Sequence, residues 1–203
     1  MLRSTLIALM VLAPGPAVVS FAQDASSEAP NQDVVSGATH PSKRMPDGKE
    51  WTTDNLKVNT GQSHCYADTE QNCRRYGRLY SWEAAQRGCQ SLGAGWRLPT
   101  EDEWRRLAKH YGGASNDSAD GGKAAYRALL AGGSSGFNAL LGGGRVSDQE
   151  QYARLEAHGF YWTASETDPV NAWFYNFGKG GLALHRQREG NKQMALSVRC
   201  VRE

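Results

Sequence analysis

Gly95-Trp96-Arg97-Leu98-Pro99-Thr100-Glu101-Asp102-Glu103-Trp104 spells out the start of a helix. Pro99 fixes its own backbone φ just ahead of the cap. Thr100 and Glu103 have the spacing of a capping box, in which each side chain takes a backbone N–H that the first helical turn leaves unbonded. Glu101, Asp102 and Glu103 place negative charge at the positive end of the helix dipole, and that role is enough to explain them. Trp104, Leu107, Ala108 and Tyr111 recur at helical spacing and predict a buried stripe, and Gly112-Gly113 ends the run. Trp96 and Trp104 add large apolar area to a core. The segment therefore reads as structural: a stiff turn that delivers a core helix.

Upstream, Trp82, Ala85, Cys89 and Leu92 fall on one face of a second helix, predicted from about Ser81 to Ser91. Gly61 to Gly77 is polar and turn-like. A strand through Trp51, Leu56 and Val58 follows the turn signal Asp47-Gly48. Downstream, residues 114–122 read as a loop and Ala124 to Leu130 as a short helix closed by Gly132-Gly133. Five strands are then predicted: Phe137–Leu141, Phe160–Ser165, Ala172–Phe177, Leu182–Arg188 and Leu196–Arg202. A strand, two principal helices and a run of strands make an α+β protein rather than a parallel α/β sheet.

The beginning of the chain has the features of an export signal. Arg3 precedes the apolar run Leu6 to Ala13, Pro14-Gly15-Pro16 breaks it, and Ser20-Phe21-Ala22 offers a cleavage site before Gln23. The run is well short of the roughly 20 residues a span requires. Residues 1–22 are thus expected to be a signal peptide, residues 23–45 a flexible polar leader, and residues 46–203 one folded domain, secreted or periplasmic. No membrane span is expected in the mature chain. The charge is close to balanced, with 23 Lys and Arg against 21 Asp and Glu. The short pairs Arg74-Arg75 and Arg105-Arg106 read as solvated faces, so no nucleic-acid partner is expected.

Four cysteines fit an oxidising compartment: Cys65, Cys73, Cys89 and Cys200. They lack the C-x-x-C pairs or H-E-x-x-H helix of a zinc site. Alternation puts Leu196, Val198 and Cys200 on one face of the last predicted strand and Ser197 and Arg199 on the other. Cys89 points inward from its helix in the same way. Two inward cysteines meet if the strand is central and the helix packs on it, so the expected bridges are Cys89–Cys200 and Cys65–Cys73.

Beyond the opening segment, further landmarks occur in order: Asp47-Gly48-Lys49-Glu50-Trp51 with Asn55-Leu56, Gly77-Arg78-Leu79-Tyr80-Ser81-Trp82-Glu83-Ala84-Ala85, Tyr161-Trp162-Thr163-Ala164-Ser165-Glu166, Asn171-Ala172-Trp173-Phe174 and Ser197-Val198-Arg199-Cys200-Val201-Arg202. Together they resemble the Fibrobacter succinogenes major paralogous domain family over about residues 45–203. That family is similar in pattern to the formylglycine-generating sulfatase-modifying domains and, more remotely, to C-type lectins. The resemblance implies a C-type-lectin-like fold: a twisted antiparallel sheet, two flanking helices, and N- and C-terminal strands lying together. A helix-to-last-strand disulfide is usual there, in agreement with Cys89–Cys200.

Three chemistries can be weighed against the residues. A formylglycine-generating oxidase needs two reactive cysteines shortly before its final one, and Leu182 to Ser197 contains none. Hydrolysis has no support in the spacing of His64, His110, His158 and His185. Calcium-dependent sugar binding has hard oxygen ligands on offer at Glu166, Asp168 and Asn171, but the lectin E-P-N, Q-P-D and W-N-D signatures are missing, and the cluster reads as a polar hairpin turn. No cofactor is expected. What remains is binding without chemistry. Trp173, Tyr175, His185, Arg186 and Arg188, with Gln187, concentrate large polar-tipped side chains on the C-terminal strands, a composition suited to a protein or glycan ligand. The alternative is a structural envelope or surface protein with no soluble ligand.

Overall fold

The computed structural model describes residues 40–146 and 151–203. The expected signal peptide and residues 23–39 of the expected leader lie outside the described residues. The chain opens with β1 (Ser42–Arg44) and β2 (Glu50–Thr52), then β3 (Ser63–His64), a 3-10 turn at Tyr66–Asp68, α1 (Glu70–Tyr76) and β4 (Leu79–Tyr80). Helices α2 (Trp82–Gln90), α3 (Glu101–His110) and α4 (Lys123–Leu129) follow. The second half is strand: β5 (Gly142–Arg145), β6 (Tyr152–Leu155), β7 (His158–Glu166), β8 (Asn171–Gly178), β9 (Ala183–Asn191) and β10 (Val201–Arg202). Helix and sheet are mixed, as the α+β reading requires. No helix among the described residues is long and apolar enough to cross a membrane.

Five strands form the main sheet in the order β6-β5-β7-β8-β9, and β1-β2-β10 form a second. Only the β5–β7 pairing within the main sheet is parallel. Alternation along β7 divides the interior in two. Tyr161 faces a core with Trp51, Trp104, Phe137 and Tyr175, beneath α3 and α4. Trp162 faces another with Trp82, Leu98, Phe174 and the Cys89–Cys200 bridge, beneath α2.

Helix α3 starts as its sequence dictates. Thr100 Oγ1 accepts from Glu103 N at 3.3 Å, and Glu103 Oε2 accepts from Thr100 N at 2.8 Å. Arg97 adds a two-pronged ion pair to the same carboxylate, both bonds 2.7 Å long. Trp104 is fully buried, with ring centroids 5.3 Å from Trp51 and from Phe137 and 5.1 Å from Tyr175.

Both expected disulfides are present, Cys65–Cys73 and Cys89–Cys200. The condition set for the second holds, because the late segment 195–202 is a central seam. It bonds to Arg145 of β5, Tyr80 of β4, Phe160 and Trp162 of β7, Thr52 and Leu56, and Arg97. Centrality also corrects one expectation. Alternation sets Ser197 and Arg199 on the face opposite Cys200, yet both are fully buried, because the segment is packed on both sides: Val198 and Cys200 lie in the second core while Arg199 lies against Phe137 and Tyr161 of the first.

Three further expectations change. Residues 42–44, placed in the leader, form β1 and pair with β2. The turn-like stretch 61–77 contains α1, which closes the short disulfide ring. Phe137–Leu141 is not a strand. Asn138 has φ 57°, outside extended geometry, and the carbonyls of Phe137 and Asn138 accept from the Arg199 guanidinium instead of a neighbouring strand.

Two outcomes follow for stability. Burial alone would raise the Glu103 carboxyl, but Arg97 and the Thr100 N–H outweigh it and hold the group at about 2, below its ordinary 4.5. A folded value below the unfolded one stabilises above the unfolded value and is lost as pH falls through the folded one. Acid titration of the wild type should therefore lose stability between about pH 5 and pH 2, and Glu103→Gln should remove roughly 2–3 kcal/mol at neutral pH and flatten that window. Urea unfolding of Cys89→Ala/Cys200→Ala, which opens a ring of sequence separation 111, should show a loss of roughly 3–5 kcal/mol, against about 2–3 kcal/mol for Cys65→Ala/Cys73→Ala.

Candidate functional site

Two irregularities in the main sheet create an open rim beside the start of α3. Between Trp162↔Phe174 and Glu166↔Ala172 the β7–β8 register shifts, leaving extra residues in β7. This bulge docks on the helix start: Ala164 N donates to Pro99 O at 2.7 Å, and Ser165 Oγ accepts from Glu101 N at 3.0 Å. On the other side the β8–β9 register shifts between Ala172↔Gly190 and Phe174↔Gln187, so β9 bulges too. Gly190 is required there, because a Cβ would meet Phe174 and Trp162 ring atoms at 2.7 Å. Trp173 lies between the two bulges, half-buried, with its carbonyl accepting from Thr163 Oγ1 at 2.9 Å. Bulges of this kind re-aim side chains and interrupt pairing.

Arg186 is the cross-strand partner of Tyr175. Its guanidinium carbon lies 5.0 Å from the centre of the Trp173 ring, within cation–π range. Nη1 donates to Glu101 Oε1 at 2.9 Å and lies 3.8 Å from Asp117 Oδ2. Arg105, one turn along α3, donates to both oxygens of Asp117 at 3.1 and 3.3 Å. The Arg105 bond, with Arg186 nearby, holds the Asp117 carboxyl below its usual range. A shallow concavity of about 360 Å³ adjoins this lattice, lined by Phe174, Arg186, Gln187, Arg188 and Glu189.

The structure thus brings together three of the five expected ligand residues, Trp173, Arg186 and Arg188. Tyr175 needs correction. It is fully buried and stacked on Trp104 at an interplanar angle of 17°, because the face it shares with Trp173 runs under α3 within two residues. Its hydroxyl has no hydrogen-bond partner among the described residues, and burial pushes its pKa well above the ordinary tyrosine value. His185 is one residue from Arg186 and so lies on the opposite face, where Nδ1 is 3.0 Å from Ser115 Oγ. Sequence reasoning missed Glu101 and Asp117 as parts of the rim. Glu101 already had a sufficient role at the helix dipole, and Asp117 sits in a polar loop with nothing to mark it.

The Glu166, Asp168 and Asn171 cluster is a closed hairpin turn. Asp168 Oδ1 accepts from Val170 N and Asn171 N, both at 2.8 Å. Lys192 Nζ bonds Glu166 Oε2, Pro169 O and Asp168 O at 2.9, 2.9 and 3.1 Å and lies 4.8 Å from the centre of the Trp82 ring. The Lys192 ammonium thus places a positive charge inside the turn. All four thiols are in bridges.

Among known families, the model of the Fibrobacter succinogenes major domain matches residues 38–202. A search of the curated proteins finds no match.

The unpartnered Tyr175 hydroxyl gives a sharp expectation. Tyr175→Phe should leave stability unchanged or raise it by up to about 1 kcal/mol in chemical denaturation, since it removes a buried group that lacks a partner. A clear loss of stability would show that the hydroxyl is bonded in solution.

Proposed function

The chain belongs to the Fibrobacter succinogenes major domain family, a name that states no activity, so function has to come from the surface of this chain; we propose that it is an exported, non-enzymatic binding domain that recognises a protein or carbohydrate ligand through its C-terminal strands. Of the two, the geometry favours a neutral carbohydrate. The observation that carries this is the half-buried Trp173 ring, isolated between two bulges and fixed by an Arg186 guanidinium that Glu101 anchors. An aromatic ring held in place without loss of side-chain freedom suits stacking of an apolar sugar face.

Charge supports neutrality. Arg105, Arg186 and Arg188 are matched at the rim by Glu101, Asp117 and Glu189, and the first two arginines are already in ion pairs. A strongly charged ligand would have to break those pairs, whereas sugar hydroxyls can donate to and accept from them. Export rests on the Arg3 to Ala22 pattern, and two disulfides accord with it. The finer fold reading, C-type-lectin-like, is supported by β10 pairing with β2 near the other end of the domain and by the helix-to-seam bridge.

The test is calorimetry on a panel of neutral and anionic oligosaccharides and unrelated peptides. A neutral oligosaccharide should bind, and Trp173→Ala and Arg186→Ala should each weaken it by roughly tenfold or more with the fold intact. Chelation of calcium should not matter, because Lys192 already places a positive charge inside the Asp168 turn. Binding of peptides alone would move the reading to a protein ligand. Failure of every probe, together with an envelope defect on deletion, would replace it with a structural role.

A further inference from the structure

The Cys65–Cys73 bridge carries a second feature, independent of the rim. Its ring is short, with a sequence separation of 8, and its cysteines keep 7% and 4% exposure where Cys89 and Cys200 have none. Arg78 Nη1 is 3.5 Å from both sulfurs. The guanidinium cannot drift away, because Nε donates to Ser63 Oγ at 2.8 Å and Nη2 to Ser63 O at 2.9 Å. Glu70 Oε2 lies 3.3 Å from Cys65 Sγ. These partners favour the reduced pair. A thiolate beside Arg78 gains a cation and charge-assisted donors, and a Cys65 thiol gains an acceptor in Glu70. Stabilising the reduced form makes a disulfide easier to reduce.

The ring also clasps the β5–β6 hairpin. Tyr66 packs 5.2 Å from Tyr152, whose hydroxyl donates to Asp68, and just beyond the ring Tyr76 donates to Glu156 Oε1 at 2.6 Å. Gly143 of β5 fits only because it lacks a Cβ, which would meet Tyr66 Cε2 at 2.8 Å. Backbone strain gathers at this contact. Ala67 and Asp68 in the ring, and Arg154 and Glu156 on the hairpin side, all have φ between 52° and 68°, where non-glycine residues are uncommon. The hairpin supplies Gly144, Val146, Ala153 and Arg154 to one wall of an apolar concavity of about 200 Å³, with Phe160 and Met194 opposite.

We propose that Cys65–Cys73 is a redox modification site, opened by a dithiol reductant in the folded protein, that releases the β5–β6 hairpin and reshapes this concavity. A reductant thiolate attacks Cys65 Sγ, the Cys65–Cys73 bond breaks, and its electron pair leaves on Cys73 beside Arg78. The second thiol of the reductant resolves the mixed disulfide, its proton goes to Cys65, and the reductant departs as a cyclic disulfide. Two electrons pass to the protein, and Cys65–H faces Glu70.

The experiment titrates the native full chain with dithiothreitol, reads each bridge by alkylation and mass spectrometry, and follows amide exchange. Cys65–Cys73 should open at roughly one-tenth of the reductant activity that opens Cys89–Cys200 or less, with residues 152–155 losing protection while α3 and β8 keep theirs. Arg78→Gln should move the first midpoint toward more reductant by roughly tenfold. Because Arg78 also holds Ser63, the Cys65→Ser/Cys73→Ser variant serves as a check: it should show the loosened hairpin with no reductant present. Simultaneous opening of both bridges, or unchanged protection of residues 152–155 in the reduced and the double-serine proteins, would overturn the proposal.

Discussion

A cation that bonds to no carboxylate among the described residues holds the centre of this protein. Arg199 is fully buried, and its guanidinium donates to Asn55 Oδ1 and to the backbone carbonyls of Thr52, Phe137 and Asn138 at 2.6 to 2.8 Å. The Phe137 and Tyr161 rings lie 4.6 and 5.8 Å from its central carbon. Burying a charge is expensive unless hydrogen bonds replace its water. Here dipoles from two distant parts of the chain, residues 52–55 and 137–138, do so, and burial still pulls the Arg199 pKa below its ordinary value. The side chain therefore acts as a junction. The start of the domain, the loop before β5 and the seam can satisfy one another only when all three are in place.

From that junction the order of the rim can be traced. Cys200 follows Arg199 and ties the seam to α2, and Val201 exchanges two backbone bonds with Arg97. Arg97 holds Glu103 in the capping box, which fixes the first turn of α3. That turn presents Glu101 to Arg186 and receives the β7 bulge through Pro99 and Ser165. Trp173 is thus positioned by a relay of short, directional contacts that starts in the core, and the rim owes its rigidity to the fold rather than to its own loops.

How much of this was visible in the sequence depends on whether a signal is local. The capping box, the buried stripe from Trp104 and the two cysteine pairs were legible because each is specified by nearby spacing or side-chain direction. Arg199 was not, because alternation assumes that one face of a strand meets water, and the seam has no such face. The Phe137–Leu141 stretch looked like a strand for a related reason: its apolar pattern is real, but its carbonyls serve a distant guanidinium. Helix α1 was hidden by a polar sequence that is helical inside a disulfide ring. At the rim, Trp173, Arg186 and Arg188 stood out by chemistry. The bulges that separate Trp173 from Tyr175 in exposure are properties of register, which one strand read alone does not contain.

The position of the seam has a consequence in time. Residues 195–202 complete pairings with residues 52–56, 80, 97, 145 and 160–162, all of which precede them. A chain that emerges N-terminus first leaves these pairings unmade until residues 195–202 follow. Local helices can form meanwhile, but the contacts of long sequence separation that lock the domain arrive together and late. The pairings that join the two cores through the seam are therefore among the last that the chain can make.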